Sequence, residues 1–306
     1  MKKKKILIIL PTILIFAVLV FVVGIKAQNV PPALTLHPTN LDISIDPGHS
    51  QTGILYLRNT TKQTVGIRTE LRNFTAEGEE GGVNITAENT PFSLASWIKI
   101  SPQTVTLKSG DEAKFTYSIT PPLNAEPGGH FGSIVFATIP TKSPAGNVGA
   151  SLSQEIASLF LVTIPGPVVE KASIQSFTPG KNFYETGPVT FSVRVKDEGG
   201  VHIRPAGVVT VTNMLGGKSV FGFQGENVLP GAIRNMPATW DTTWLIGKYT
   251  ADLALAYGSK NSQLYASTEF WAFPIKQGIV VFAVLLILFF FRKRFFKAIR
   301  VIIRGK

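Results

Sequence analysis

The chain has 306 residues, no cysteine and a formal net charge of +11. The absence of cysteine excludes disulfides and thiolate metal sites, so exported domains of this sequence must be held together by apolar burial. Thirteen of the 30 basic residues lie at 2–26 and 276–306, which leaves 17 basic residues against 19 acidic ones in between. A nearly neutral middle section argues against nucleic-acid binding.

The first 27 residues have the pattern of an export signal. MKKKK precedes a mostly apolar stretch that ends before Lys26 and Ala27. This order of a basic segment, an apolar segment and a small residue predicts a secretory signal peptide. The apolar stretch is long and Ile25 is bulky for its position before the cleavage site, so an uncleaved signal anchor stays open. Either segment exports the chain that follows.

Two stretches predict β-sandwiches. Residues 28–164 alternate apolar and polar side chains in short runs, most clearly over 113–120, and turn signals such as Asp46-Pro47-Gly48 separate the runs. Pro165-Gly166-Pro167 interrupts the pattern as a linker. Residues 168–270 then repeat it, for example over 189–195. The sequence predicts an all-β protein of two tandem immunoglobulin-like sandwiches.

Residues 271–291 predict a transmembrane helix. The thirteen residues of IVVFAVLLILFFF at 279–291 carry no polar side-chain atom. Counted from Trp271, the segment would be about 31 Å long as a helix, close to the thickness of a bilayer's hydrocarbon core. Arg292, Lys293 and Arg294 follow, and basic residues beside a span stay in the cytoplasm. We therefore expect a single C-terminal span in the cell membrane, an extracytoplasmic ectodomain, and a basic amphipathic cytoplasmic tail at 292–306 lying on the inner leaflet.

No constellation for enzymatic chemistry stands out. The four histidines at 37, 49, 130 and 202 lack a second ligand at metal-binding spacing, and no nucleophile elbow, phosphate-binding loop or dinucleotide fingerprint occurs. The acidic loop at 77–82 is interpreted as solvated charge rather than a catalytic pair. We expect a protein that is not an enzyme and has no metal or cofactor.

Trp240 and Trp244 are candidate binding residues. Four residues apart, the two could form an aromatic platform for a sugar, although a place in the core of a sandwich would explain them equally well. Two further motifs of the second domain, VHIRPAG at 201–207 and NVLP at 227–230, have no assigned role.

The first domain resembles a known family. The runs SWIKISPQTVTLKSGDEAKFTYSITPP and NAEPGGHFGSIVF, at 96–136, and the upstream LDISIDPGHSQTGILYLRNTT are similar to the first extracellular domain of WxL-interacting proteins of Gram-positive bacteria. Gly128, Gly129 and His130 are the most distinctive element of the resemblance. More distantly, the domain resembles pilus chaperones and major-sperm-protein modules. The resemblance covers about residues 33–140 and implies a surface-anchored adaptor that contacts the cell wall and a protein partner.

Three functions compete. The leading expectation is a non-enzymatic surface protein that binds cell-wall polymer, another surface protein or both. The alternative is a membrane-tethered assembly chaperone that acts by β-strand addition, for which Arg58, Arg68 or Arg72 would need to line a groove. A membrane-bound hydrolase would need an acid–base pair that the sequence does not offer.

Overall fold

The fold was described from a computed structural model, which covers residues 34–139 and 154–304. The predicted signal segment at 1–27 lies outside these residues, and so do nearly all side chains of the predicted basic tail.

The first domain is a sandwich of two sheets. Its ten strands are β1 (Leu34–His37), β2 (Asn40–Ser44), β3 (Gln51–Asn59), β4 (Val65–Glu77), β5 (Gly82–Thr86), β6 (Ile98–Ser101), β7 (Thr104–Leu107), β8 (Glu112–Ile119), β9 (Gly128–Ile139) and β10 (Glu155–Ile164). One sheet has the order β1-β3-β8-β6, and the other has the order β2-β10-β9-β4-β5 with β7 also paired to β4. The chain passes between the sheets directly after β1, so β2 runs parallel to β10.

The second domain has the same architecture. Its strands are β11 (Ala172–Pro179), β12 (Phe183–Tyr184), β13 (Val189–Asp197), β14 (Ala206–Asn213), β15 (Lys218–Gln224), β16 (Ile233–Trp240), β17 (Gly247–Tyr257) and β18 (Ser262–Ala272). The order β11-β13-β16 forms one sheet, and β12-β18-β17-β14-β15 forms the other. One helix, α1 (Ile275–Arg304), follows β18.

Side-chain alternation explains these sheets. In β13, Val189, Phe191, Val193 and Val195 point into the core and are fully buried, while the residues between them face outwards. In β8, Phe115, Tyr117 and Ile119 do the same. The prediction of an all-β chain with two sandwich domains is confirmed.

Two predicted boundaries need correction. The turn signal Pro127-Gly128-Gly129 predicts that a strand begins only at Phe131, but Gly128 and Gly129 already belong to β9, where they pair with Ile164 and Thr163 of β10. Trp271 and Ala272 were expected in a membrane span but end β18, where they pair with Lys248 and Gly247. Pro274, which has no backbone N–H to continue a strand, immediately precedes the helix.

The helix α1 contains most of the segment that the sequence predicts to cross a membrane. Within the residues available for description, no helix combines the length and the apolarity needed to cross a membrane. A span that includes residues 279–291 therefore stays a prediction.

Candidate protein-binding site

The two sandwiches meet at the start of β9. Gly129 N donates to Gly200 O over 2.9 Å, and a Cβ at Gly128 would lie only 2.7 Å from the same oxygen. Gly128 also has a φ of +132°, which side-chain-bearing residues rarely adopt. His130 is buried, packs against the tilted ring of Trp97 and contacts the backbone oxygens of Ser93 and Glu126. The structure thus places Gly128 and Gly129 at the domain junction, whereas these contacts of His130 are all within the first domain.

The tip of the β4–β5 hairpin also joins the two domains. Glu79 accepts two hydrogen bonds from the Arg194 guanidinium, at 2.6 and 2.5 Å, and these hold the pKa of Glu79 below its usual value. Glu79 O accepts from Asn235 N on β16, and Asn235 Nδ2 donates to Glu80. The acidic loop, interpreted from the sequence as solvated charge, is at least partly exposed, and two of its carboxylates, those of Glu79 and Glu80, also contact the second domain.

A third contact pairs His202 with Asp42 at 3.0 Å. The hydrogen bond from His202 is the main reason why the pKa of Asp42 is lowered. Asp197 is buried nearby; its Oδ1 accepts from Gly199 N, whereas its Oδ2 has no hydrogen-bond partner. Burial raises the pKa of Asp197 to about 7. The junction therefore contains a buried carboxyl group that titrates near neutrality.

A cleft of about 280 Å³ opens beside these contacts. Its first-domain wall is apolar and includes Phe74, Val83 and Leu161, which belong to a small cluster that extends to Leu229 of the second domain. Its second-domain wall carries two guanidinium groups. The guanidinium groups belong to Arg204 and Arg234, and the polar residues beside them are Glu226 and Asn227.

The polar wall of the cleft is held by hydrogen bonds. Arg204 Nε donates to Asn227 Oδ1 over 3.0 Å, and Arg234 Nη1 donates to Asn227 O over 2.8 Å. Arg234 also pairs with Glu226, and burial lowers the pKa of Arg234. The cleft can accommodate an apolar side chain beside a fixed polar wall.

The strand that leads to this cleft is an open sheet edge. β15 ends at Gln224, two residues before Glu226, and it pairs only with β14 among the strands described. After Lys218 it carries no charged side chain, and Val220 on its outer face is 63% exposed. An edge strand presents unpaired backbone N–H and C=O groups, which can pair with a strand of another chain.

The other long edges of the second domain are protected. β11 has a register shift between Ile174 and Ser176 and ends in Pro179, β16 contains Pro237 and meets the β4–β5 hairpin, and β12 has only two residues. Bulges, prolines, short lengths and covering loops are the devices that keep sheet edges from pairing. In the first domain, the edge strands β1, β2, β5, β6 and β7 have four or five residues each. The exception among the described strands is β18, whose outer side pairs with β12 only at Trp271 and Ala272, so that residues 262–270 have no strand partner on that side. β15 is the unprotected edge that leads to the domain cleft.

The remaining predicted site residues do not join this surface. Trp240 is partly buried and packs on Tyr249, whereas Trp244 lies in the β16–β17 loop and is 68% exposed. Arg68 and Arg72 both pair with Glu70. The guanidinium groups at the cleft are instead those of Arg204 and Arg234.

The two motifs without an assigned role are the residues that sequence reasoning missed. VHIRPAG supplies His202 and Arg204, and NVLP supplies Asn227 and Leu229. The composition of the two motifs was the signal that could have identified them as candidate site residues. Each motif combines polar residues with a proline, and no regular strand pattern continues through it. Their roles depend on contacts across the junction, for which neither motif has a local signature.

Comparisons with known proteins give distant structural similarity and no match in sequence. No family model matches the chain, and no curated protein matches it. Among solved structures, the class 5 fimbriae chaperone CfaA has 10% identity and a TM-score of 0.39 over 78% of this chain and 98% of its own. The E. coli chaperone DraB has 16% identity and a TM-score of 0.37, over 76% and 95%. The CsuC–CsuE chaperone–tip adhesion subunit complex from archaic Csu pili of Acinetobacter baumannii has 12% and 0.35, over 79% and 99%.

These neighbours correspond to the more distant of the two resemblances stated above. The resemblance to WxL-interacting proteins has no counterpart among the family models. Similarity at these scores does not extend to function.

Proposed function

We propose that this chain is a non-enzymatic binding protein that captures an extended segment of another protein by strand addition to β15. The supporting observation is the open seven-residue edge itself, uncharged after Lys218 and adjacent to the domain cleft. The binding mode is that of the chaperone alternative. Strand addition would suit a chaperone that releases its client and an adaptor that retains its partner equally well.

The chemistry of the partner follows from the edge. Backbone hydrogen bonds would supply most of the affinity, at about 1 kcal/mol each. Val220 and, on the adjacent strand, Val208 give the outer face of the sheet an exposed apolar character. A partner segment that alternates apolar and polar residues would place its apolar side chains beside these valines.

Tethering is part of the same proposal. The apolar run at 279–291 and the basic residues after it would hold both sandwiches at a cell membrane, with β15 outside the cytoplasm. Binding to a cell-wall polymer stays a prediction.

Site-specific photocrosslinking on intact cells tests the strand addition. A photoreactive amino acid at Gln224, on the open edge, should give a discrete adduct with one partner protein. The same amino acid at Tyr265, which is 72% exposed on β18 at the opposite side of the same sheet from β15, is the matched control and should give none.

The substitution Val220→Lys distinguishes pairing at the sheet edge from nonspecific adhesion. Val220→Lys places a charge on the edge, a device that opposes strand pairing, and should lower the adduct yield at 224 by roughly tenfold. Tyr265→Lys should leave that yield unchanged. Equal adducts from positions 224 and 265, or a yield unaffected by Val220→Lys, would rule out strand addition at β15.

A further inference from the structure

The end of the second domain next to the helix carries a group of exposed apolar tips. We call it the apolar collar: Met214, Leu215, Trp244, Ile246, Trp271 and Phe273, with exposed fractions of 66, 88, 68, 59, 56 and 49%. Side chains of this size are normally exposed singly in proteins surrounded by water, and a contiguous group of them marks an interaction surface.

Pairing registers place the collar at one end of the sandwich. Met214 contacts Gly247, and Gly247 pairs with Ala272 at the end of β18. Ile246 N donates to the Tyr249 hydroxyl, which fixes the end of the loop that carries Trp244. The β14–β15 turn, the β16–β17 loop and the end of β18 therefore meet where the chain enters α1.

The helix continues this apolar surface. From Ile279 to Phe290, eleven large apolar side chains are each 42–72% exposed, on every side of the helix. A helix that is apolar all round is stable in a non-aqueous environment rather than in water. The collar lies at the first turn of that helix, since Phe273 reaches Gly278.

We infer that the apolar collar rests in the interfacial layer of a lipid bilayer and sets the second domain directly on the membrane surface. The inference rests on the proposed tethering and is independent of strand addition. Two observations favour lipid as the occupant: the collar is continuous with the apolar helix, and it contains two tryptophans, which with tyrosine are the residues enriched at membrane–water interfaces. Lys248 and Lys276 lie at the same end; Lys248 pairs with Glu269 at 2.7 Å, and the more exposed Lys276 lies 3.8 Å from Glu185, from where its flexible side chain can turn to anionic headgroups.

Because the chain has no native cysteine, single cysteines can be introduced into the full chain and labelled at one position each. Single-cysteine variants Leu215→Cys and Ile246→Cys, labelled with an environment-sensitive fluorophore, would be reconstituted into vesicles of phosphatidylcholine and phosphatidylglycerol. Leu123→Cys is the control, because Leu123 is 87% exposed in the first domain. The labels at 215 and 246 should shift to the blue and lose most of their quenching by aqueous iodide, whereas the label at 123 should keep the emission and quenching it has in water.

Three outcomes would overturn the inference, and each identifies a different error. A full chain that does not float with the vesicles would refute both the tethering and the collar. A chain that floats while labels at 215 and 246 stay as accessible to iodide as the label at 123 would refute the collar alone. A blue shift that disappears as the protein-to-lipid ratio is lowered would assign the collar to contacts between copies of the chain. None of these results affects crosslinking at β15.

Discussion

At the scale of single residues, the junction depends on one glycine conformation and one buried carboxyl group. Gly128 provides a backbone conformation and a close approach to Gly200, and Asp197 occupies a buried position with one unpaired oxygen. The distinctive Gly-Gly-His element of the sequence thus has a structural environment that explains its composition without a ligand.

Asp197 makes stability depend on pH. Burial raises its pKa to about 7 in the folded chain, so the folded state binds a proton that the unfolded state has released above about pH 4. The free energy of unfolding should therefore fall as the pH rises from about 4 to 7. Asp197→Asn removes this loss and should be more stable than the parent above pH 7 by on the order of 2 kcal/mol. Parallel stability curves for the two chains, measured by urea unfolding at several pH values, would contradict this.

Gly128→Ala should destabilise the chain by on the order of 2 kcal/mol, from backbone strain together with the collision with Gly200. Gly78→Ala is the matched control, because Gly78 also has a positive φ of 64° but nothing lies within 4 Å of its Cβ position. The control should cost only about 1 kcal/mol. Urea unfolding of the full chain, followed by tryptophan fluorescence, measures both; equal costs would mean that the contact with Gly200 is unimportant.

At the scale of elements, sequence patterns predicted strands with a regular local alternation and missed features that depend on which strands pair with each other. Strands with strict alternation, such as β8 and β13, were found from their periodicity. β15 and β16 were missed because their burial patterns are irregular, and β12 is too short to show a period. Whether a strand lies at an edge depends on partners far away in the chain, so the openness of β15 could not be predicted.

The ion pair at the hairpin tip should contribute less to holding the two domains together than the apolar cluster at the junction. The Glu79–Arg194 pair is more than one third exposed on both sides, and screening by solvent makes exposed ion pairs weak contributors to stability. Leu229 packs on the cluster of Phe74, Phe131 and Leu161, whose burial contributes more. Leu229→Ser should therefore loosen the junction, and Glu79→Ala should not.

Distance distributions between spin labels at Leu123→Cys and Tyr265→Cys, one in each domain, measure this difference. We expect a broader distribution for Leu229→Ser and the parental distribution for Glu79→Ala. A broader distribution for Glu79→Ala alone would show that the ion pair, rather than the apolar cluster, fixes the two domains.

At the scale of the whole molecule, the open edge of β15 lies between the two other surfaces discussed above, the apolar collar and the domain cleft. β15 begins beside the apolar collar and ends beside the domain cleft. If the collar rests on a membrane, a segment added to β15 would run between the membrane surface and the cleft. The presence of two sandwiches could be predicted from the alternation of side chains, but this arrangement depends on contacts between the two domains, which no local sequence pattern predicts.

Hydrogen–deuterium exchange of the full chain, with and without a synthetic peptide from the partner region that crosslinks at position 224, tests the central claim most directly. Strand addition predicts that backbone amides within 218–224 exchange roughly tenfold more slowly when the peptide is bound, which corresponds to about 1.4 kcal/mol. A bound peptide that leaves exchange in β15 unchanged and protects another surface would contradict the account.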